Sequence, residues 1–254
     1  MIYDRPADPL YPPSWLAAAC RLIAGLKGRY WALLILVYSG RAMLPFAPLP
    51  GSIGLPAGWG QAFSVAIAFL TIFWMPYLFI RAMAGEPKPG RPNLGFLWFV
   101  LVAVLIRAIR SLGVTGAHWL AMNGEQAGGG VGALPLSLLF LLFDLASAAF
   151  VTPLLSLYAG TATSRLSPLE PRWRRAVRRD GRALFCAYAL VVIAVAALQT
   201  ILPGVPVLHG PTLTGIVTSH LHAFLEAAMF LFTLALALAA ANSALRLPED
   251  VPPR

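Results

Sequence analysis

The chain has 254 residues, of which 59% are hydrophobic and only 11% charged, and its formal net charge is +9. Soluble domains average about 45–50% apolar and about 25% charged residues, so a soluble globular fold is excluded and an integral membrane protein is expected. The basic residues cluster between apolar runs instead of covering a soluble surface, which removes nucleic acid as a partner.

Asp4, Asp8 and the Pro12–Pro13 pair precede any apolar stretch, and no basic segment leads into a small-residue cleavage site, so the N-terminus is expected to stay on the mature chain. After Ser14, a capping residue, Trp15, Ala19, Leu22 and Leu26 recur at steps of four and three, with Arg21 and Lys27 off that stripe. The pattern predicts a helix lying in the membrane interface, and a helical lead-in to the first span satisfies it equally. It belongs to an N-terminal cytoplasmic segment, residues 1–29.

A span needs about 20 apolar residues to cross the hydrocarbon core. Six stretches meet that length: 30–47, 62–82, 94–114, 135–160, 183–203, and one within 214–245. They define a transmembrane domain, 30–246, followed by a cytoplasmic tail, 247–254. The connections alternate in character. "PFAPLPGSIGLPAGWG" (45–60), "TGAHWLAMNGEQAGGGVGA" (115–133) and "GVPVLHGPTL" (204–213) carry no Lys or Arg, whereas the other connections and the ends hold all but three of the 19 basic residues. The positive-inside rule therefore puts both termini in the cytoplasm. The expected architecture is an all-α integral membrane protein, a bundle of six transmembrane helices with an N-terminal interfacial helix. The excess of Arg over Lys and the abundance of Ala suggest a bacterial source and hence the cytoplasmic (inner) membrane.

Tyr30, Trp31, Trp59, Trp74, Tyr77, Trp98 and Trp119 fall near the expected span ends and read as interfacial anchors. Cys20 and Cys186 are too few and too far apart for a disulfide framework or a zinc ribbon, and read as free thiols. The glycine-rich "GEQAGGGVG" (124–132) lacks the Lys and the strand-loop-helix setting of a phosphate loop and reads as an external loop. No GxxxxGK[ST], GxGxxG, HExxH or GxSxG motif occurs, so no catalytic residue is assigned and no cofactor is expected.

The three remaining arginines, Arg41, Arg107 and Arg110, join Asp144 and Glu226 as a candidate buried charge network. At about 1.5 Å of rise per residue, Arg41 and Arg107 lie roughly 16–18 Å from the cytoplasmic edge and Asp144 roughly 14 Å from the outer one. In a core about 30 Å thick these are similar levels. An unpaired charge there costs several kcal/mol, so pairing or water is required. Arg107 with Asp144 is the expected pair, with Arg41 its competitor, and Arg110 is placed to pair with Glu226 at the outer edge. His222 and Glu226, four apart, share a helix face at the spacing of two metal ligands, with His220 or Asp144 as a third. The competing reading makes them the polar collar of the last helix. Haem is disfavoured, because no two histidines lie at matching depths in different spans.

The segment "RLSPLEPRWRRAVRRDGRALF" (165–185) is the other chemical feature. Arg172, Arg174, Arg175, Arg178 and Arg179 would lie beside anionic lipid, each contributing about 1 kcal/mol of attraction near the surface. Their topogenic role, holding the flanking spans in place, requires no specific lipid.

The turn "AGEPKPGRP" (84–92) after the second span, and the arginine-rich segment after "TPLLSLYAGTATSRL" (152–166), resemble those of a broad group of poorly characterised bacterial six-span proteins. That group includes the membrane domain attached to some glycerophosphodiester phosphodiesterases. The resemblance implies a structural or accessory membrane role, and no phosphodiesterase domain is present to carry activity over. Three function classes follow, in this order: a non-enzymatic multipass accessory protein, a carrier or channel for a small anionic solute, and an intramembrane metal-dependent enzyme.

Overall fold

The computed structural model describes residues 12–43, 69–126, 136–201 and 213–247, and their secondary structure is helical throughout. The elements are α1 (Pro12–Ala24), α2 (Gly28–Met43), a π-helical turn (Leu70–Trp74) that runs into α3 (Met75–Met83), α4 (Phe96–Gln126), α5 (Leu136–Ala162), α6 (Arg172–Ile201) and α7 (Leu213–Leu245). Four of them, α4 to α7, are long and apolar enough to cross a membrane. They coincide with the last four expected spans. Of the first two, residues 44–47 and 62–68 lie outside the described residues, as do Trp59 and residues 127–132 of the glycine-rich segment.

Two helices outrun the apolar stretches that announce them. α4 continues to Gln126, so His118 and Trp119 ride on a helix and not on an external loop. α6 begins at Arg172, so most of the arginine-rich segment forms its first turns. Hydropathy marks where lipid begins; it does not mark where a helix ends. Arginine is a good helix former, no proline separates Pro171 from the apolar run, and the single glycine between them, Gly181, is carried within the helix.

α7 is the hub, packing against α1, α2, α3, α5 and α6. Its run Leu234–Ala241 is buried all round, as expected of a helix with no polar face. Alternating Leu and Ala let each neighbour approach closely. α4 is the least enclosed of the four long helices, with 17% of its apolar window buried against 61% for α7. It packs chiefly on α5. The contact is close: a Cβ on Gly95 would run into the Thr161 carbonyl, on Gly113 into Ser147 Oγ, and on Gly116 into the Phe143 ring. Residue numbers fall on α5 as they rise on α4, so the two are antiparallel.

Trp15, Ala19, Leu22 and Leu26 are buried as one stripe, which confirms the periodicity and corrects its destination. α1 is separated from α2 by a break at Gly25–Lys27, and it packs against α6 and α7 instead of turning its stripe to lipid. Tyr77 is a second correction: it is fully buried, 4.9 Å from Phe96 and 5.3 Å from Phe99 between ring centroids, so it is a core residue and not an anchor. Trp31, Trp98 and Trp119 are exposed. Both cysteines are free and exposed.

Helix ends fix the loops. Gly85, at φ 75°, closes α3 with a Schellman pair, Glu86 N–H to Arg81 O and Gly85 N–H to Ala82 O. Ser164 takes the same place after α5 at φ 54°, where glycine is usual. Its hydroxyl is used: Ser164 Oγ accepts the Gly95 N–H at 3.1 Å, and Asn93 Nδ2 donates to Ala162 O at 3.0 Å. The loop before α4 is thereby sewn to the end of α5.

Candidate functional site

Arg41 pairs with Glu226, not with Asp144: Arg41 Nη1 lies 3.1 Å from Glu226 Oε2. α2 and α7 run antiparallel, with Ser219 Oγ donating to Ala42 O at 2.6 Å and the Tyr38 and Phe230 rings 6.1 Å apart, which sets position 41 opposite position 226. The side chains are 53% and 41% exposed, so this pair is not buried, and Glu226 is not the partner of Arg110.

Arg110 instead reaches across to α6, where its Nη2 donates to the Tyr188 hydroxyl at 2.7 Å. Tyr188 is fully buried. Asp144 and Tyr158, both on α5, lie within electrostatic reach of the Arg110 guanidinium. Arg107 is exposed, and among the described residues it forms no ion pair with Asp144, which is itself exposed. Gly113 meets Ser147 and Gly116 meets Phe143, so Asp144 lies opposite position 115 or 116, about two turns along α4 from Arg107, and the two differ in level as well as in azimuth. Three helical positions rotate a side chain by about 60° short of a full turn, and the α4 face that meets α5 through Gly113 and Gly116 includes Arg110 and leaves Arg107 to one side. The expected single network is therefore two centres on different helices.

The histidines among the described residues do not gather ligands. His220 Nδ1 lies 2.8 Å from Ile216 O, Glu226 is engaged by Arg41, and His222 is half-buried. Among the described residues no three His, Cys, Asp or Glu side chains come together in a way that could hold a metal ion. His118 packs edge-on to Phe140 at 4.8 Å.

Two buried charges were hidden from sequence reasoning. Arg81, 8% exposed, donates from Nε to Glu86 Oε2 at 2.5 Å and from Nη1 to the Tyr77 hydroxyl at 2.8 Å, to Pro89 O at 3.2 Å and to Arg91 O. Asp180, 3% exposed, accepts Arg179 Nε at 2.6 Å, Arg179 Nη2 at 2.9 Å and Ser243 Oγ at 2.6 Å, which ties the start of α6 to the end of α7. The signals were a lone acid amid arginines and a glutamate five residues after Arg81 in a Pro/Gly turn.

Of the arginine patch, Arg174, Arg178 and Arg179 are exposed, and Arg172 and Arg175 are half-buried. The Arg174 guanidinium lies 5.4 Å over the Trp173 ring. No known protein family, curated protein or solved structure matches this chain.

Proposed function

We propose that this chain is a six-span protein of the bacterial inner membrane, with both termini in the cytoplasm, that serves a structural or accessory role and has no enzymatic activity of its own. One observation carries the reading: the charges within the helices tie helix to helix, Arg41 to Glu226 and Arg110 to Tyr188, instead of converging on one chamber. A catalytic or substrate-binding centre needs several polar groups aimed at a common point. In support of the topology, the loop before α4 is bonded to the end of α5, and α6 to the end of α7, so the basic connections share one end of the bundle. The arginines at 172–179 then face the anionic headgroups of the inner leaflet, and the resemblance of the 84–92 turn points the same way.

The test is transport in proteoliposomes together with cross-linking in native membranes. An accessory protein gives no uptake of inorganic phosphate, sulfate or small carboxylates above empty vesicles, and cross-links to a defined protein neighbour. Saturable uptake abolished by Arg110→Gln would overturn the reading in favour of a carrier for a small anion. That second reading has its own support, the exposure of Arg107 and Asp144 beside Arg110. Charges at such depth require water or a partner.

A further inference from the structure

Between the first turn of α2, the flank of α3 and the loop that follows it lies a basic cleft of about 420 Å³, lined by Arg29, Tyr30, Leu33, Leu78, Lys88 and Gly90. Its loop wall is held from behind. The buried Arg81 guanidinium donates to the carbonyls of Pro89 and Arg91, and the left-handed Gly85 turns the chain back. Gly90 sits against α3, where a Cβ would be 3.7 Å from Leu78 Cδ1. Glu86, the acid of this loop, is engaged by Arg81 at 2.5 Å, so neither Arg29 nor Lys88 has a carboxylate partner among the described residues. The Arg29 guanidinium is steadied at the cleft's side, 4.8 Å over the Tyr30 ring and donating to its hydroxyl at 2.8 Å. Leu33, one turn further along α2, and Leu78 on α3 supply an apolar wall that leads away from the charges.

We propose that this cleft binds an anionic membrane phospholipid, its phosphate between Arg29 and Lys88 and the upper part of its acyl chains along Leu33 and Leu78. Two cations without an acid select a phosphate. The adjoining apolar wall selects one that carries acyl chains, which a soluble anion lacks. The proposal rests on the loop at 84–93 facing the inner leaflet. It stands apart from the arginines of α6 and from whether the protein transports anything.

Native mass spectrometry of the full chain in mild detergent, with phosphatidylglycerol or phosphatidylcholine added, tests it. The parent should retain phosphatidylglycerol in preference to phosphatidylcholine, and occupancy should fall roughly fivefold for each cation removed in Arg29→Ala and Lys88→Ala. Arg29→Lys should keep most of it, and Arg174→Ala with Arg178→Ala should leave the tightest-bound lipid in place. Lys88 is exposed and its side chain makes no hydrogen bond among the described residues, so Lys88→Ala alone decides the matter if Arg29→Ala aggregates. Equal retention of the two lipids, or unchanged retention in Lys88→Ala, overturns the site. Thermal stabilisation by inorganic phosphate equal to that by phosphatidylglycerol would overturn the lipid and leave a soluble anion.

Discussion

Arg41 and Glu226 meet at 3.1 Å across α2 and α7, and both side chains remain substantially exposed. The sequence places Arg41 near the middle of the hydrocarbon core and Glu226 at its outer edge; the α2–α7 contact sets them side by side, and the bundle does not enclose them. Exposure weakens an ion pair, and low-dielectric surroundings strengthen it, so the two effects compete. We expect a double-mutant cycle with Arg41→Gln and Glu226→Gln, read by thermal denaturation in detergent, to give a coupling of about 0.5–1 kcal/mol. The same cycle with Arg107→Gln and Asp144→Asn should give none within error. A larger coupling for the second pair than for the first would reverse the assignment.

Asp180 and Arg179 should respond unequally. Arg179→Ala leaves a carboxylate that is 3% exposed without its cation, a loss of about 3 kcal/mol or more. Asp180→Asn leaves an arginine whose side chain is 42% exposed and can hydrate, and an amide oxygen that still accepts from Ser243, so about 1–2 kcal/mol is expected. Chemical denaturation of the two variants side by side checks the order, and the reverse order would mean that the carboxylate is reached by water.

The α4–α5 seam depends on the absence of a side chain at Gly113. Gly113→Ala should destabilise by about 1–3 kcal/mol, because its Cβ would collide with Ser147 Oγ. Adding Ser147→Ala removes the colliding atom and should restore most of the loss. If the double variant melts no higher than Gly113→Ala, the helices have another register.

Reporter fusions test the threading. Fusions at Gly85 and Gly181 should report cytoplasm, and a fusion at Gly128, outside the described residues, should report the far side of the membrane. A cytoplasmic signal from Gly128 would end the six-span reading while leaving the four long helices intact.

Composition and patterning alone determined that the chain carries helices long and apolar enough to cross a membrane, the approximate positions of α4 to α7 and the stripe Trp15–Ala19–Leu22–Leu26. Each of these is a property of a single segment: apolar length, or the period at which apolar residues recur. Helix ends were less legible, since lipid boundary and helix boundary differ wherever good helix formers such as the arginines of α6 continue past the membrane.

What the tertiary structure decided was partnership. Depth along a single helix is additive in residue number, but the register between helices and the azimuth depend on where, and on which face, a neighbour packs. The glycines of α4 turn Arg110 toward the bundle and leave Arg107 outside, and the α2–α7 register gives Glu226 to Arg41. Asp180 and Arg81 carried sequence signals of a partner but none of burial depth, because their enclosure is built by residues remote in the chain or by a loop folded back on its own helix. A buried charge must be matched by geometry around it, and that geometry exists only once the helices have packed.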